Sequence, residues 1–291
     1  MEKVTKIVVM AKQVPDTRNV GKDAMTPEGT VNRAALAAIF NPEDLNALEM
    51  ALQIKERVAG SEVYVLTMGP QRASDVIREA MFRGADGGYL LSGKEFAGSD
   101  TLATSYALSL ALRKIEPDII VAGRQAIDGD TAQVGPQVAE KLDLPQITYA
   151  EELIDINDTE ITIKRRLERG AEVVVCPLPA LITVNSSAKE CRPRNAKRVM
   201  KYKRALATSE MANVDQQWND FIAERPYLHI VEFAAADVNP DPEQLGLSGS
   251  PTKVKKIENV VFQAKEAKAL TAEDADIEAL MQELIASHTL G

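Results

Sequence analysis

Histidine, cysteine and aromatic residues are scarce in this chain of 291 residues, which has two histidines, two cysteines, one tryptophan and an aromatic content of 4%. Cys176 and Cys191 are too few for a disulfide framework or a metal cluster. His229 and His288 have no ligand-like neighbour in the sequence, so we expect no metal site. Two cysteines without a disulfide pattern fit a reducing compartment, and we expect a cytoplasmic protein.

Long apolar runs and an excess of positive charge are also missing. No run is long enough to span a bilayer, and the segment 1–12 lacks the apolar core of a signal peptide, so we interpret it as the first strand and expect no membrane insertion. The net charge of −9 and a pI near 5.0 argue against general binding to nucleic acid or anionic membranes.

What the chain does contain is an alternation of short apolar runs and amphipathic helical segments. Apolar runs occur at 7–10, 63–66, 88–91 and 119–122, each followed by a helical pattern. Asn41 and Pro42 are typical of a helix start. From about residue 150 to 184 the pattern changes to alternating strands with a turn at Gly170. This predicts an α/β fold: a doubly wound, mainly parallel, Rossmann-like sheet of the nucleotide-binding type, with added antiparallel hairpin strands.

The last third of the chain has a different character. Residues 205–271 lack sustained periodicity, and we interpret them as an extended arm that lies on another chain. Thr271 is expected to cap a final helix, whose apolar stripe suggests docking: Ile277, Leu280, Met281, Leu284 and Ile285. We therefore expect a nucleotide-binding domain at 1–204 and, at 205–291, a C-terminal arm and helix that dock on a partner subunit.

The most informative segment follows the run at 119–122 and leads into a helix expected to begin near Asp130. Such a loop lies at the carboxyl edge of a parallel sheet, and free amides at the helix start can hold phosphate oxygens. Asp128 and Asp130 are expected to cap the helix or bind ribose hydroxyls. The alternative is a polar loop whose aspartate is only a cap. The Gly-x-Gly-x-x-Gly and Walker A patterns are both absent.

Other strand ends are expected to line the same crevice. Met10, Asn41, Asp44 and Met68 all lie where a strand ends or a helix begins. The two methionines suit contact with a flavin or adenine ring, although core packing is the commoner role of methionine.

At these residues the chain resembles the beta subunit of electron transfer flavoproteins. The resemblance rests on the segments 12–17, 41–42, 47–49, 68–70, 83–86 and 123–136, in order and spacing over about residues 6–204. A later segment, 247–252, is similar to the C-terminal region of the electron-bifurcating branch.

The resemblance implies a heterodimer with an alpha subunit that holds one FAD. In one branch the beta subunit holds AMP. In the bifurcating branch it holds a second FAD that takes electrons from NADH and splits them between ferredoxin or flavodoxin and an acyl-CoA dehydrogenase-type or acyl-CoA reductase partner. The flavin would carry the redox chemistry, so no catalytic side chain is expected.

Carried over by position, the resemblance also implies a set of cofactor contacts. Asp44 differs from the residue of the AMP-holding branch and, with the segment 15–17, favours FAD. The implied contacts are Met10, Asn41, Asp44, Met68, Gly123, Arg124, Gln125, Ala126, Ile127, Asp128, Gly129, Asp130, Thr131, Ala132, Gln133 and Val134.

A basic segment at 189–204 has eight lysines and arginines and one acid, Glu190. A nucleic-acid patch is one interpretation, but the segment lacks the interleaved aromatic residues that stack on bases. A solvated helix face is the second. The resemblance implies a third, a loop that recognises the dehydrogenase by charge.

Two other functions stay open on the sequence alone. One is a nucleotide-binding module or adenylating enzyme that uses ATP, which the lack of a glycine-rich triphosphate loop disfavours. The other is a purely structural interaction protein.

Overall fold

The computed structural model describes residues 6–16, 37–252, 269–287 and 289. The chain divides into two compact units, residues 1–255 and 256–291. Four parts of the sequence-based expectations lie outside the described residues: residues 1–5 of the expected first strand, Thr17, His288 and the stretch 253–268 of the expected arm.

Strands and helices alternate in the first unit, as the apolar pattern predicts. The strands are β1 (Lys6–Met10), β2 (Gln13–Pro15), β3 (Ala38–Phe40), β4 (Glu62–Met68), β5 (Gly87–Leu91), β6 (Ile119–Gly123), β7 (Gln146–Ile156), β8 (Glu160–Leu167), β9 (Gly170–Pro177), β10 (Ala180–Val184), β11 (Leu206–Ala207) and β12 (His229–Phe233). The helices are α1 (Pro42–Arg57), α2 (Ser74–Arg83), α3 (Thr101–Ile115), α4 (Val134–Leu142), α5 (Ala196–Tyr202), α6 (Thr208–Met211), α7 (Gln216–Ala223) and α8 (Ala235–Val238).

Ten of these strands form one sheet in the order β11-β12-β5-β4-β1-β6-β10-β7-β8-β9. The pairs from β11 to β7 are parallel, and the pairs β7–β8 and β8–β9 are antiparallel. The chain goes from β1 to β4 and β5 on one side and then returns to β6 on the other side. This reversal leaves a crevice at the carboxyl ends of β1 and β6, where open α/β sheets bind ligands. The fold class is therefore confirmed.

One detail of the expected hairpin strands is wrong. Residues 180–182 fall within the stretch 150–184 that is expected to add antiparallel hairpin strands, but β10 lies between β6 and β7 and is parallel to both. All of its residues are buried, which is typical of a central parallel strand with both faces covered.

The sheet has a hydrophobic core on each face because successive side chains of a strand point to opposite sides. In β1, Ile7 and Val9 join the cluster that includes α1 and α2, whereas Val8 and Met10 join the cluster that includes α3 and α4. Both layers hold the carboxyl edge of the sheet in place, so the loops there stand on rigid elements.

The first compact unit extends to Lys255, beyond the expected boundary at residue 204. Residues 205–252 contain α6, α7, α8 and two strands of the sheet, where no regular structure was expected, because these elements are too short to give a clear period in sequence. Docking of the region 205–291 on a partner stays a prediction.

The described part of the second unit contains α9 (Asp274–Ala286). Thr271 is not its N-cap: the helix begins three residues later, and the Thr271 hydroxyl donates to Asp276 at 2.7 Å. Ile277, Met281 and Ile285 are about half exposed, at 49%, 43% and 56%. Within the described ranges of the chain, no helix has the length and apolar character needed to cross a membrane.

Candidate functional site

A cavity of about 840 Å³ opens at the carboxyl ends of β5, β4, β1 and β6, within the range of roughly 300–1,000 Å³ common for small-molecule sites. Thirteen of the sixteen implied contacts line it: Met10, Asp44, Met68, Gly123, Arg124, Gln125, Ala126, Gly129, Asp130, Thr131, Ala132, Gln133 and Val134. The other three, Asn41, Ile127 and Asp128, are not among the lining residues.

The wall opposite the loop at 123–134 was missed by the sequence analysis. It consists of residues 92–94 and 96–101, between β5 and the start of α3. The signal for it was present, because a segment that follows a parallel strand must start at the same edge of the sheet as the other loops.

The loop between β6 and α4 exposes a run of backbone donors. In the part of the chain that the structure describes, the amides of residues 131–135 donate to no protein acceptor. Asp130 and Ala132 have positive φ angles of 48° and 52°, a backbone form that brings successive amides together into an anion-binding concavity. Both residues lack the freedom of glycine, so the surrounding contacts must hold this conformation.

The helix after the loop begins at Val134, four residues later than expected, and has no side-chain cap. The expectation that Asp128 or Asp130 caps it is wrong. Asp128 instead forms an ion pair with Lys12 at 2.7 Å, and Asp130 accepts a hydrogen bond from Gln125 Nε2 at 2.9 Å. Both aspartates hold the loop in shape, which leaves the helix start free for an anion.

The start of α1 holds the loop through two side chains. Asn41, fully buried, donates to Gln125 O at 2.9 Å and accepts from Ile127 N at 3.1 Å. Glu43 accepts from Gln125 N and from Arg124 Nη2, both at 3.0 Å. Asn41 is the N-cap residue, but its side chain makes no capping bond. Its two polar groups support the loop, so its contribution to a ligand site is indirect.

Asp44 joins three elements at the base of the crevice. Its carboxylate accepts from Lys12 N at 2.8 Å and from Gly123 N at 3.1 Å, which ties the ends of β1 and β6 to α1. Burial raises the pKa of Asp44 to about 7, although the hydrogen bonds from Lys12, Asn41 and Gly123 oppose this. The group therefore titrates near neutral pH in the folded protein.

The two methionines of the implied set lie at the crevice floor. Met10 is 6% exposed and belongs to the core cluster, and Met68 packs against that cluster. Both also line the cavity. Core packing and contact with a ligand ring are compatible at these positions, because each residue lies at the boundary between core and crevice.

The chemistry of this site fits a nucleotide. Free amides suit phosphate oxygens, the Arg124 guanidinium lies at the same wall, and the floor is apolar. Among the described residues, no group of three or more histidine, cysteine, aspartate or glutamate side chains could hold a metal ion. The apolar floor suits the organic part of a nucleotide, and the free amides of the loop suit its phosphates.

The basic segment is attached to α1 and α2 by acidic residues. Glu49, 1% exposed, accepts from the Arg192 backbone N at 3.0 Å and from its Nε at 2.9 Å. Burial alone would raise the pKa of Glu49, but the bonds from Arg192 and Lys189 hold it below its usual value. Arg194 pairs with Glu79 at 2.7 Å. Three of the eight cations of the segment, Lys189, Arg192 and Arg194, are thus paired with acidic residues of α1 and α2.

The basic segment contains one aromatic residue, Tyr202, whose ring centroid lies 4.7 Å from Lys201 Nζ, and two further rings near it come from a later part of the chain. Lys201 lies 4.8 Å from the centroid of the Tyr227 ring, and Arg204 lies 5.1 Å from that of Trp218. These rings already contact cations of the same chain, so their proximity does not by itself indicate stacking on nucleic-acid bases.

Replacing Glu49 by glutamine should lower the free energy of unfolding by about 2 kcal/mol at pH 7, because the hydrogen-bonded charge of Arg192 loses its buried partner. The folded pKa of Glu49 is lowered, so its contribution is present above pH 4.5 and is lost as the pH falls through the folded value. Urea unfolding at pH 7 and at pH 3 measures both effects.

Glu56 is the matched control for this change, because it pairs with the same arginine at 2.5 Å but is 60% exposed. The substitution Glu56→Gln should change the free energy of unfolding by about 0.5 kcal/mol or less. Equal losses in the two variants would contradict the view that the buried partner anchors the segment.

Comparison with known proteins places these features in a family context. The model of the electron transfer flavoprotein domain matches residues 28–210. The electron transfer flavoprotein subunit beta of Megasphaera elsdenii is 44% identical over 258 residues, which is 86% of each chain. The caffeyl-CoA reductase-Etf complex subunit CarD of Acetobacterium woodii is 41% identical over 251 residues, again 86% of each chain. The acryloyl-CoA reductase electron transfer subunit gamma of Anaerotignum propionicum is 41% identical over 256 residues, 86% of this chain and 87% of the relative.

Proposed function

Because the chain belongs to the electron transfer flavoprotein family, as a beta subunit or a related electron-transfer subunit, we propose that its crevice binds FAD and takes electrons from NADH. The subunit works in a heterodimer with an electron transfer flavoprotein alpha subunit. In this proposal residues 1–204 hold the nucleotide, and the region 205–291 supplies the surface that docks on that partner.

The extent of the crevice is the observation that carries this proposal. The cavity runs across the ends of four strands, from the loop at 123–134 to the turn at 68–71 and the wall at 92–101. FAD contains the AMP group and, beyond the diphosphate, a second and longer half that ends in the flavin ring. With the diphosphate at the free amides of residues 131–134, the other strand ends offer space for that second half.

The chain's own residues bind and orient the cofactor. The amides of Thr131 to Val134 hold phosphate oxygens, and Arg124 adds a positive charge that Glu43 orients at 3.0 Å. Met10 and Met68 supply apolar surface for a ring. Asn41 and Asp44 act indirectly, because their hydrogen bonds fix the position of residues 123–134. Asp128 of this loop is held by its ion pair with Lys12.

When bound, FAD would supply the redox chemistry by which electrons from NADH are divided between ferredoxin or flavodoxin and, through the alpha-subunit FAD, an acyl-CoA partner. The protein contributes position, electrostatics and exclusion of water. No side chain of this chain acts as an acid or base in that proposal.

The protein that accepts electrons from the alpha-subunit FAD is proposed to be an acyl-CoA dehydrogenase-type protein or an acyl-CoA reductase. Two relatives carry caffeyl-CoA reductase and acryloyl-CoA reductase in their names, which supports this class.

The basic segment at 189–204 is the surface proposed to meet the dehydrogenase. The half-exposed stripe of α9 is proposed to dock on the alpha subunit, and the complex is expected in the cytoplasm.

Cofactor extraction from the co-expressed heterodimer tests the proposal. We expect two FAD per heterodimer and reduction of the flavin by NADH, measured by absorbance and by chromatography of the released nucleotides. One FAD with one AMP would contradict electron splitting at this site and identify the AMP-holding form of the subunit. Hydrolysis of ATP with no flavin bound would instead favour an ATP-binding module, and a complex that carries neither nucleotide in this crevice would favour a structural role.

A further inference from the structure

A late segment of the chain packs on the wall of the crevice. Gly98 lies in this wall, and a Cβ atom added to it would be 2.7 Å from Leu247 Cδ2. Gly246 has a positive φ of 53°, and a Cβ atom there would be 2.5 Å from Glu95 O. Two glycines at such close contacts show that the segment 246–252 fits tightly against residues 95–100.

Asp100 connects this segment to the first turn of α3. One carboxylate oxygen, Oδ1, accepts from Leu102 N at 3.0 Å and from Ala103 N at 3.1 Å, and thereby caps the helix. The other, Oδ2, accepts from the Thr252 hydroxyl at 2.7 Å and from Thr252 N at 3.1 Å. Asp100 N donates to Ser250 Oγ at 2.8 Å. All the acceptor and donor groups of this aspartate are thus used by α3 and by the segment 250–252.

Charge strengthens these contacts. The partial desolvation of Asp100 acts to raise its pKa, but the hydrogen bonds from Thr252, Ala103 and Leu102 hold the pKa below its usual value. The carboxylate is therefore ionised at neutral pH. Hydrogen bonds to an ionised group are shorter and stronger than neutral ones.

Thr101, the residue after Asp100, contacts the loop on the opposite side of the crevice. Thr101 Oγ1 donates to Gln133 Oε1 at 3.0 Å. Gln133 is the N-cap residue of α4 and belongs to the loop with free amides. A chain of direct contacts therefore runs from Thr252 through Asp100 and Thr101 to the loop proposed to hold the phosphates.

We propose that Thr252 and Ser250 are positioning residues that act through Asp100 to hold the crevice wall and the start of α3 in the geometry that binds a nucleotide diphosphate. This role rests on the nucleotide binding proposed above. Without the contacts, the wall at 92–101 spends a smaller fraction of time in the binding-competent position, and apparent affinity falls in proportion to that fraction.

The test uses the heterodimer, freed of loosely held nucleotide by gel filtration and titrated separately with FAD and with AMP. The substitution Thr252→Val keeps the side-chain volume and removes the hydroxyl donor. We expect it to raise Kd for the nucleotide that the wild type binds by about five- to tenfold, within the effect of one charge-assisted hydrogen bond. Thr252→Ser keeps the hydroxyl and should restore Kd to within about twofold of the wild type.

Thr159 provides a matched control in the same compact unit. Its hydroxyl and backbone N both donate to Asn157 Oδ1, at 3.0 Å and 2.9 Å, in the turn between β7 and β8. Thr159→Val should leave Kd unchanged. Thermal unfolding of the nucleotide-free Thr252→Val and Thr159→Val proteins should show that both are folded at the temperature of the titration.

The outcomes separate this inference from the proposed function. Wild-type affinity in Thr252→Val, an equal loss in Thr159→Val, or failure of Thr252→Ser to restore binding would overturn the positioning role alone. A wild-type heterodimer that binds neither FAD nor AMP in this subunit would overturn both proposals.

Discussion

Replacement of Gly123 by alanine is expected to lower the free energy of unfolding by about 3 kcal/mol and to abolish retention of nucleotide in this subunit. The added Cβ would lie 2.3 Å from Asp44 Oδ1, 2.7 Å from the Glu43 carbonyl carbon and 2.8 Å from Asp44 N. Two of these three are backbone atoms in the first turn of α1, so relief requires movement of the helix itself. Gln125 and Ile127 are hydrogen-bonded to the start of α1, and the loop would move with it.

Gly129 is the matched control because it lies in the same loop, and a Cβ atom there meets nothing within 4 Å. Gly129→Ala should change the free energy of unfolding by about 0.5 kcal/mol or less. Urea unfolding measures stability, and nucleotide released from the purified heterodimer measures occupancy. If both alanine variants were equally stable, the close approach of α1 to β6 would not be the reason for glycine at position 123.

The second large effect concerns the pH dependence of stability at Asp44. In the unfolded chain this carboxyl has its usual pKa of 3.8, and in the folded protein burial raises it to about 7. Between these values the folded state keeps a proton that the unfolded state releases. The stabilisation linked to this proton is fully present below pH 3.8, declines as pH rises and is lost above about pH 7.

The substitution Asp44→Asn removes this titration. The free energy of unfolding of the wild type minus that of the variant should therefore fall by about 1.4 kcal/mol per pH unit between pH 5 and 7, and by roughly 4 kcal/mol over the whole window. Urea unfolding of both proteins from pH 4 to pH 8 gives the slope. The exposed Asp158→Asn variant controls for the loss of one negative charge.

A flat difference between wild type and Asp44→Asn would mean that the hydrogen bonds from Lys12 and Gly123 outweigh burial. In that case the carboxylate would be charged throughout the range. The same experiment therefore decides whether the base of the crevice carries a charge at neutral pH.

Local patterns were sufficient for the strands β1, β4, β5 and β6, for the helices α1 to α4 and for the edge at which the crevice lies. The segment after 119–122 was placed correctly as a loop between a strand and a helix, since the apolar run and the glycines mark the turn. The start of α4 was predicted four residues too early, because Asp130 is a good capping residue in isolation. In the folded chain its side chain bonds to Gln125, and its positive φ cannot belong to a regular helix.

Local sequence patterns also could not predict the contact between the wall of the crevice and the segment 246–252 that packs on it. Asp100 was not singled out, although it is a good N-cap for α3 in sequence. Its bond to Thr252 joins residues 152 positions apart, and no local period encodes such a pair. The irregular composition of 205–252 suggested an arm, but burial of short elements against the sheet edge made it part of the first unit.

The sequence by itself determined the α/β class, the alternation of strands and helices in a mainly parallel sheet, and the family resemblance. These follow from the hydrophobic period, from turn residues and from short motifs. Only the tertiary structure decided what the polar side chains do. Asn41 and Asp44 look like ligand contacts in sequence, yet the Asn41 side chain bonds to the loop between β6 and α4, and Asp44 accepts hydrogen bonds at the ends of β1 and β6. The physical reason is that a buried polar group must find its partner in three dimensions, and that partner depends on which chain segments the core brings together.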